Sequence, residues 1–178
     1  MRRLIVLAVV SLSLAAAQET RWELVNPSAT DDKPNSDKVP DVFTVSSQFQ
    51  RVLIFRFKFK ANLLAGLEQM VKENKIRNGV ILAGVGAVRN FEVHQVSVRD
   101  LPSKNMFEKN PNAPADIAGM NGYILNGKVH AHITLANPDK AFGGHLEPET
   151  NVFNFAIVTV GVLPDDLDLT RLDDKTLR

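Results

Sequence analysis

The chain has 178 residues, of which 44% are hydrophobic and 23% charged, and its formal net charge is +1. This length suits one domain with a real core, and the composition excludes disordered and fibrous classes. Nucleic-acid binding depends on clustered Lys and Arg that neutralise phosphates. The near balance of basic and acidic residues does not support such binding. Cysteine is absent, so the chain has neither disulfides nor a thiol nucleophile.

Residues 1–17 have the pattern of a secretory signal peptide. A short basic region at residues 1–3 precedes an apolar stretch at 4–14, and three alanines at 15–17 supply the small residues of a cleavage site. The alternative, an uncleaved anchor, needs about twenty apolar residues. The sequence therefore predicts an exported protein, periplasmic or secreted, with no membrane attachment after cleavage.

The next segments predict a lead-in and a first strand. Residues 18–41 are polar and contain three prolines, which predicts a loosely ordered lead-in before a domain at 42–178. Phe43-Thr44-Val45 is a short strand candidate. Apolar and polar residues alternate over 52–59, which predicts a strand. Its inward face is expected to carry Leu53, Phe55, Phe57 and Phe59.

A helix and a glycine-containing strand follow. Asn62 is a suitable helix N-cap, and large apolar residues recur after it at helical spacing up to about Asn74. The apolar segment 79–88 contains internal glycines, which in a buried strand allow close packing or a bulge. No helix signal and no Lys-Ser/Thr pair follow it, so it is not interpreted as a phosphate loop. A further strand is predicted after a bend at Asn90, with His94 on a partly exposed face.

The second half of the chain predicts hairpins. Residues 100–115 contain three prolines and predict a long surface loop. Strands are predicted at 117–125 and 128–136, joined by a tight Asn126-Gly127 turn. Further turns are predicted at Asn137-Pro138-Asp139 and Gly143-Gly144, before a long strand at 152–162. One main helix packed against a mostly antiparallel sheet is an α+β domain.

Three histidines lie within sixteen residues, at His130, His132 and His145. The first two share a face of an extended strand because side chains alternate, and a glycine pair precedes the third. Three neutral imidazoles suit zinc or another divalent transition metal and leave its fourth position open. The alternative is that they are ordinary polar residues. Glu147 is either a weak candidate for a general base beside such a metal or a solvated turn carboxylate.

The order of segments resembles the PPC (plants and prokaryotes conserved) domain from about Val42 to Arg178. The resemblance depends on the glycine-containing segment 79–88 and on the residues before the hairpin. It depends also on His130-Ala131-His132-Ile133 and above all on Phe142-Gly143-Gly144-His145-Leu146, and these two motifs are specific at this separation. It implies an α+β domain that assembles as a homotrimer and binds zinc at His130, His132 and His145. Plant members add Arg-Gly-Arg-Pro segments that bind DNA, and this chain has none.

Three functions from different classes follow. The favoured one is an exported PPC-domain protein whose three-histidine metal site binds a small ligand or serves structure or sensing. The alternative is a metal-dependent hydrolase or lyase that uses the same site, so the sequence leaves open whether the chain is an enzyme. A DNA-binding regulator is disfavoured by the composition. Asn121 and Tyr123 have two possible roles. Both line a pocket, or Asn121 forms a bend with Gly122 while Tyr123 fills the core.

Overall fold

The computed structural model describes residues 20–25, 40–42, 44–169 and 172. In these ranges the chain forms eight strands and one helix, which agrees with the predicted α+β class. The strands are β1 (Arg21–Val25), β2 (Arg51–Lys58), β3 (Asn78–Val96), β4 (Asn105–Asn110), β5 (Ala115–Leu125), β6 (Lys128–Ala136), β7 (Ala141–Leu146) and β8 (Asn151–Leu163), and the helix is α1 (Leu63–Glu73). The predicted signal peptide, residues 1–17, lies outside the described residues.

The long strand β3, with 19 residues, organises an eight-stranded sheet in which neighbouring strands are antiparallel. Its first part pairs with β5 and β8, and its last residues pair with β4 and β7. Because β5 also pairs with β6, and β6 with β7, these three strands and β3 form a closed ring. β2 extends the sheet beside β8, and β1 extends it beside β4. The ring closure is the feature that positions the site.

The helix α1 begins and packs as the sequence predicts. The Asn62 side chain accepts a hydrogen bond from the backbone N–H of Ala65 at 2.9 Å, which satisfies one of the unpaired donors of the first turn. Leu63, Leu67 and Val71 are fully buried on the face that packs into the core. No helix in the described part of the chain is long and apolar enough to cross a membrane.

The alternation predicted for residues 52–59 is confirmed at its centre. Phe55 and Phe57 are buried in the core cluster, and Leu53 packs partly against it. The inward assignment of Phe59 is wrong, because its side chain is 49% exposed beyond the end of β2. The strand ends at Lys58 and Lys60 has a positive φ, so the chain turns before Phe59 can continue the pattern.

Two segments predicted to lack regular structure contain strands. β1 lies in the predicted lead-in and β4 in the predicted loop 100–115, and the two pair with each other. Their short apolar and polar alternation is obscured by neighbouring prolines, asparagines and lysines, and β4 is stabilised by pairing with β3. The strand candidate Phe43-Thr44-Val45 is not confirmed. Thr44 and Val45 are not in a strand, and Phe43 lies outside the described residues.

Two predicted changes of direction are instead inside strands. β3 continues through Asn90, and register shifts along its pairing with β8 absorb the expected bend. Gly143 and Gly144 lie within β7 rather than at a turn. A Cβ at Gly143 would overlap the carbonyl oxygen of Ile133, and one at Gly144 would overlap that of His94. The glycine pair therefore allows β7 to lie close to both neighbouring strands.

Candidate metal centre

All four histidines of the chain lie on one face of the sheet. His132 of β6 pairs with His145 of β7, which pairs with His94 of β3. Directly paired residues of antiparallel strands project to the same side, so these three form a row across adjacent strands. His130 lies two residues from His132 on the same side, and the residue between them is buried in the core. The ring closure therefore assembles a cluster of four imidazoles.

His145 is at the centre of this histidine cluster. Its ring centroid lies 4.7 Å from that of His94, 4.9 Å from that of His130 and 5.6 Å from that of His132. The centroids of His130 and His132 are 5.4 Å apart. Loss of hydration around the ring, followed by the charges of the other three imidazoles, lowers the pKa of His132. The crowding thus favours the neutral form of His132, which is the form that binds metal ions.

Glu147 belongs to the same site. Its Oε1 atom accepts hydrogen bonds from Nδ1 of His94 at 2.5 Å and from Nδ1 of His145 at 3.2 Å. Its backbone N–H donates to the carbonyl oxygen of Glu92 at 3.1 Å, which ties the residue to β3. The side chain is only 17% exposed, so its interpretation as a solvated turn carboxylate is wrong.

The ionisation of Glu147 depends on its two histidine neighbours. Burial, the largest influence, acts to raise the pKa of the carboxyl group. The hydrogen bonds from His145 and His94, together with their charges, outweigh it and lower the pKa to about 2. The carboxylate is therefore charged over the physiological range and holds both rings through Nδ1.

Among the described residues, one group of three has ligand atoms all within 4.8 Å of one another: His94, His145 and Glu147. Imidazole nitrogens and a carboxylate oxygen are ligands that zinc and related divalent metals accept, so the chemistry of the donors fits. This group contains His145 of the predicted set. His130 and His132 adjoin it, and their role as ligands stays a prediction.

Sequence reasoning missed His94, which it placed outside the histidine cluster. His94 and Glu147 are 53 residues apart, and they meet only because β3 pairs with β7. The available signal was the alternation of β3, which places His94 opposite the buried Val93. Tyr123, paired with His130, is 49% exposed and lines a cavity. The structure therefore supports its predicted pocket role over the core role.

A family model, the Plants and Prokaryotes Conserved (PCC) domain, matches residues 44–164, which is more than half of the chain. The chain belongs to the PCC family. The match confirms, over residues 44–164, the resemblance to the plants and prokaryotes conserved domain, since PPC and PCC are abbreviations of the same family name. No curated protein matches this PCC chain.

Solved structures with the PCC fold come from several prokaryotes. A metal-containing protein from Archaeoglobus fulgidus is 18% identical, with a TM-score of 0.58, over 76% of this chain and 96% of that one. A plant- and prokaryote-conserved (PPC) protein from Pyrococcus horikoshii is 20% identical, with a TM-score of 0.57, over 69% and 85%. A hypothetical protein from Salmonella enterica is 18% identical, with a TM-score of 0.58, over 67% and 82%. Likeness at these identities establishes the fold alone.

Proposed function

We propose that this PCC protein binds a divalent, zinc-like metal ion in the histidine cluster and uses the ion's open coordination position to bind a small ligand. The observation that carries the proposal is that the ring of His145 lies within 5.6 Å of every other histidine ring in the chain. Four imidazoles on one sheet face form a dense set of nitrogen donors of the kind that binds divalent metal ions. The metal content of the Archaeoglobus fulgidus relative supports the same assignment.

The separations of the ring centres are compatible with His130, His132 and His145 as ligands once the rings turn towards a common ion, since their nitrogens do not all lie within 4.8 Å of one another. A zinc ion lies roughly 2.0–2.1 Å from a ligating nitrogen, hence about 3.2 Å from the ring centre, so three rings around a tetrahedral ion have centres about 5.2 Å apart. The three observed separations, 4.9, 5.4 and 5.6 Å, lie on both sides of this value. Glu147 then orients His145 through Nδ1 and leaves Nε2 for the metal. When bound, such an ion supplies Lewis acidity and an acidified water.

Zinc titration of purified variants tests this proposal. We expect His132→Ala to weaken zinc binding more than about 100-fold, since even carboxylates that merely orient ligands contribute about 10- to 100-fold. Thr134→Ala is the matched control, because Thr134 is the next exposed residue on the same face of β6, and it should bind zinc like wild type. A wild-type protein that binds no zinc would refute the proposal.

The same titration distinguishes the two ligand sets. His94→Ala removes a member of the compact group His94, His145 and Glu147 but leaves the three predicted ligands. If His94→Ala abolishes zinc binding while His132→Ala retains it, the ion binds in the compact group and the predicted set is wrong. Metal binding itself would then stand.

A metal-dependent hydrolase or lyase is the second candidate. The charged Glu147 carboxylate, 3.2 Å from Nδ1 of His145, is the group of the site that would act as the base that such chemistry needs, provided that its side chain turns from Nδ1 towards the metal-bound water. Zinc-dependent hydrolysis of 4-nitrophenyl acetate that disappears in Glu147→Gln would support this candidate. Absence of zinc-dependent turnover in the wild type would leave ligand binding as the function.

The proposal includes assembly as a homotrimer. The outer face of β2, β8 and β3 carries the exposed apolar side chains Val52, Ile54, Phe155 and Val85, beside the exposed charged side chains Arg56 and Lys58. Contiguous exposed apolar surface is typical of protein interfaces. Light scattering should give three chains per particle for the wild type and fewer for Ile54→Lys, whereas Val42→Lys, at an exposed site outside this face, should not change the mass. A monomeric wild type would contradict the assembly.

Export through residues 1–17 is also part of the proposal. The basic, apolar and small-residue regions of this segment support it. N-terminal sequencing of the protein recovered from the periplasm or medium should begin at Gln18. A full-length protein retained in the cytoplasm would contradict export.

A further inference from the structure

A largely apolar cavity of about 370 Å³ is lined in part by Tyr123, the residue that pairs with His130 of the histidine cluster. It is bounded by the segment before β2, by the chain after β8, and by the faces of β3 and β5. Two lining residues, Ser47 and Gln48, are polar and uncharged, and most of the others are apolar, among them Val45, Phe49, Val80, Leu163 and Leu167. The volume is within the range of about 300–1,000 Å³ that is usual for small-molecule sites. The lining contains no charged side chain, so it suits an alkyl or similar apolar group.

Strand pairing connects the cavity to the histidine cluster through Tyr123. Tyr123 of β5 pairs with Val80 of β3 on one side and with His130 of β6 on the other. Directly paired residues project to the same face with Cβ atoms about 4.5–5.5 Å apart. Val80, Tyr123 and His130 therefore form a continuous row that runs from the cavity to the cluster. A molecule lying against the Tyr123 ring is one strand away from the proposed metal site.

We propose that this cavity holds the apolar chain of a small monocarboxylate whose carboxylate group binds the metal ion. The inference rests on the proposed function, because the carboxylate needs the ion. A divalent ion beside the Glu147 carboxylate, which contacts His94 and His145, leaves one net positive charge when the imidazoles are neutral. That charge matches a single carboxylate, while the apolar cavity excludes a second charged group.

A series of straight-chain acids and alcohols tests the inference. Butanoate, hexanoate and octanoate, with the corresponding 1-alkanols, are titrated calorimetrically into zinc-loaded and metal-free protein. Affinity should rise about fourfold for each added methylene that enters the cavity. Zinc should strengthen the binding of the acids and leave that of the alcohols unchanged, because only the acids carry the group that binds the ion.

A matched pair of variants locates the chain. Val45 lines the cavity from the exposed segment before β2, and Val42, a little earlier in the chain, is 83% exposed and does not line it. Val45→Asp should weaken hexanoate binding roughly tenfold, since it places a carboxylate beside the apolar chain. Val42→Asp should bind hexanoate as wild type does.

Failure of this inference differs from failure of the proposed function. If the wild type binds zinc but affinity does not depend on chain length, or if the Val45 and Val42 variants behave alike, the cavity assignment is overturned and the metal site stands. If zinc does not bind, the proposed function and the carboxylate position fall together. The alcohol series then reports on the cavity alone.

Discussion

The contact between β3 and β7 at Gly144 predicts the effect of adding a single methyl group. A Cβ at this position would overlap the carbonyl oxygen of His94 and lie 3.0 Å from the Cγ atom of Gln95. The carbonyl is part of the β3 backbone and cannot rotate out of the way. Gly144→Ala must therefore push β7 away from β3 and separate His145 from His94.

The expected loss of stability has two parts. Overpacking against fixed neighbours costs about 1–3 kcal/mol. The pairing of β3 with β7 is short, with Val93 opposite Leu146 and His94 opposite His145, and each backbone hydrogen bond that weakens costs about 1 kcal/mol. We expect the free energy of unfolding to fall by about 2–4 kcal/mol, a large share of the 5–15 kcal/mol typical of a domain. Zinc affinity should fall as well if the ion binds in the compact group.

Urea unfolding followed by circular dichroism measures this loss, and Gly119→Ala is the matched control. Gly119 is also in a strand of the ring, but no atom lies within 4 Å of the position its Cβ would take. That substitution should leave the free energy of unfolding unchanged or raise it by about 0.4–1 kcal/mol, because alanine reduces the conformational entropy of the unfolded chain. Equal unfolding midpoints for the two variants would refute the idea that close backbone approach at Gly144 holds the site together.

Three further predictions concern single polar or charged side chains. Asn62→Ala removes the 2.9 Å hydrogen bond that Oδ1 accepts from the Ala65 N–H and the one that Nδ2 donates to the Pro148 carbonyl oxygen. It should lower the free energy of unfolding by about 1–2 kcal/mol, and a urea midpoint equal to wild type would contradict this. Lys140→Met removes the cation 3.3 Å from the Glu108 carboxylate, which is 2% exposed, and should cost about 2 kcal/mol because the lysine itself is half exposed; the double variant with Glu108→Gln should recover most of it. The pKa of Glu147 is about 2 in the folded protein and 4.5 ordinarily, so its contribution to stability is complete above pH 4.5 and is lost as the pH falls towards 2. Acid titration of metal-free Glu147→Gln should show a smaller decline over this window, and an unchanged decline would contradict the assignment.

Features that depend on local periodicity were predictable from the sequence. The alternation in β2 correctly placed Phe55 and Phe57 in the core, and Asn62 was correctly identified as the helix N-cap. The Asn126-Gly127 turn joins β5 and β6, and both residues have the positive φ that a two-residue hairpin requires. These elements depend on residues that are close in the sequence and on the periodic spacing of one buried face. The sequence shows both features directly.

Features that depend on distant pairing were not predictable. The strand β4 contains the buried Glu108 between lysine- and asparagine-rich neighbours, so its composition suggests a loop until β3 and β1 supply its hydrogen bonds. The glycines of β7 suggested a turn because a residue without a side chain allows either a tight turn or the close approach of two backbones. Only the positions of the adjacent backbones show that close approach is the one that applies here.

The candidate site divides in the same way. The sequence by itself determined that His130 and His132 share a strand face, because alternation with period two is a local property of extended backbone. Tertiary structure decided that His94 and Glu147 join them, because the pairing of β3 with β7 brings together residues 53 positions apart. No pattern in either strand specifies its partner, since strand pairing depends on the burial and hydrogen bonding of the whole sheet.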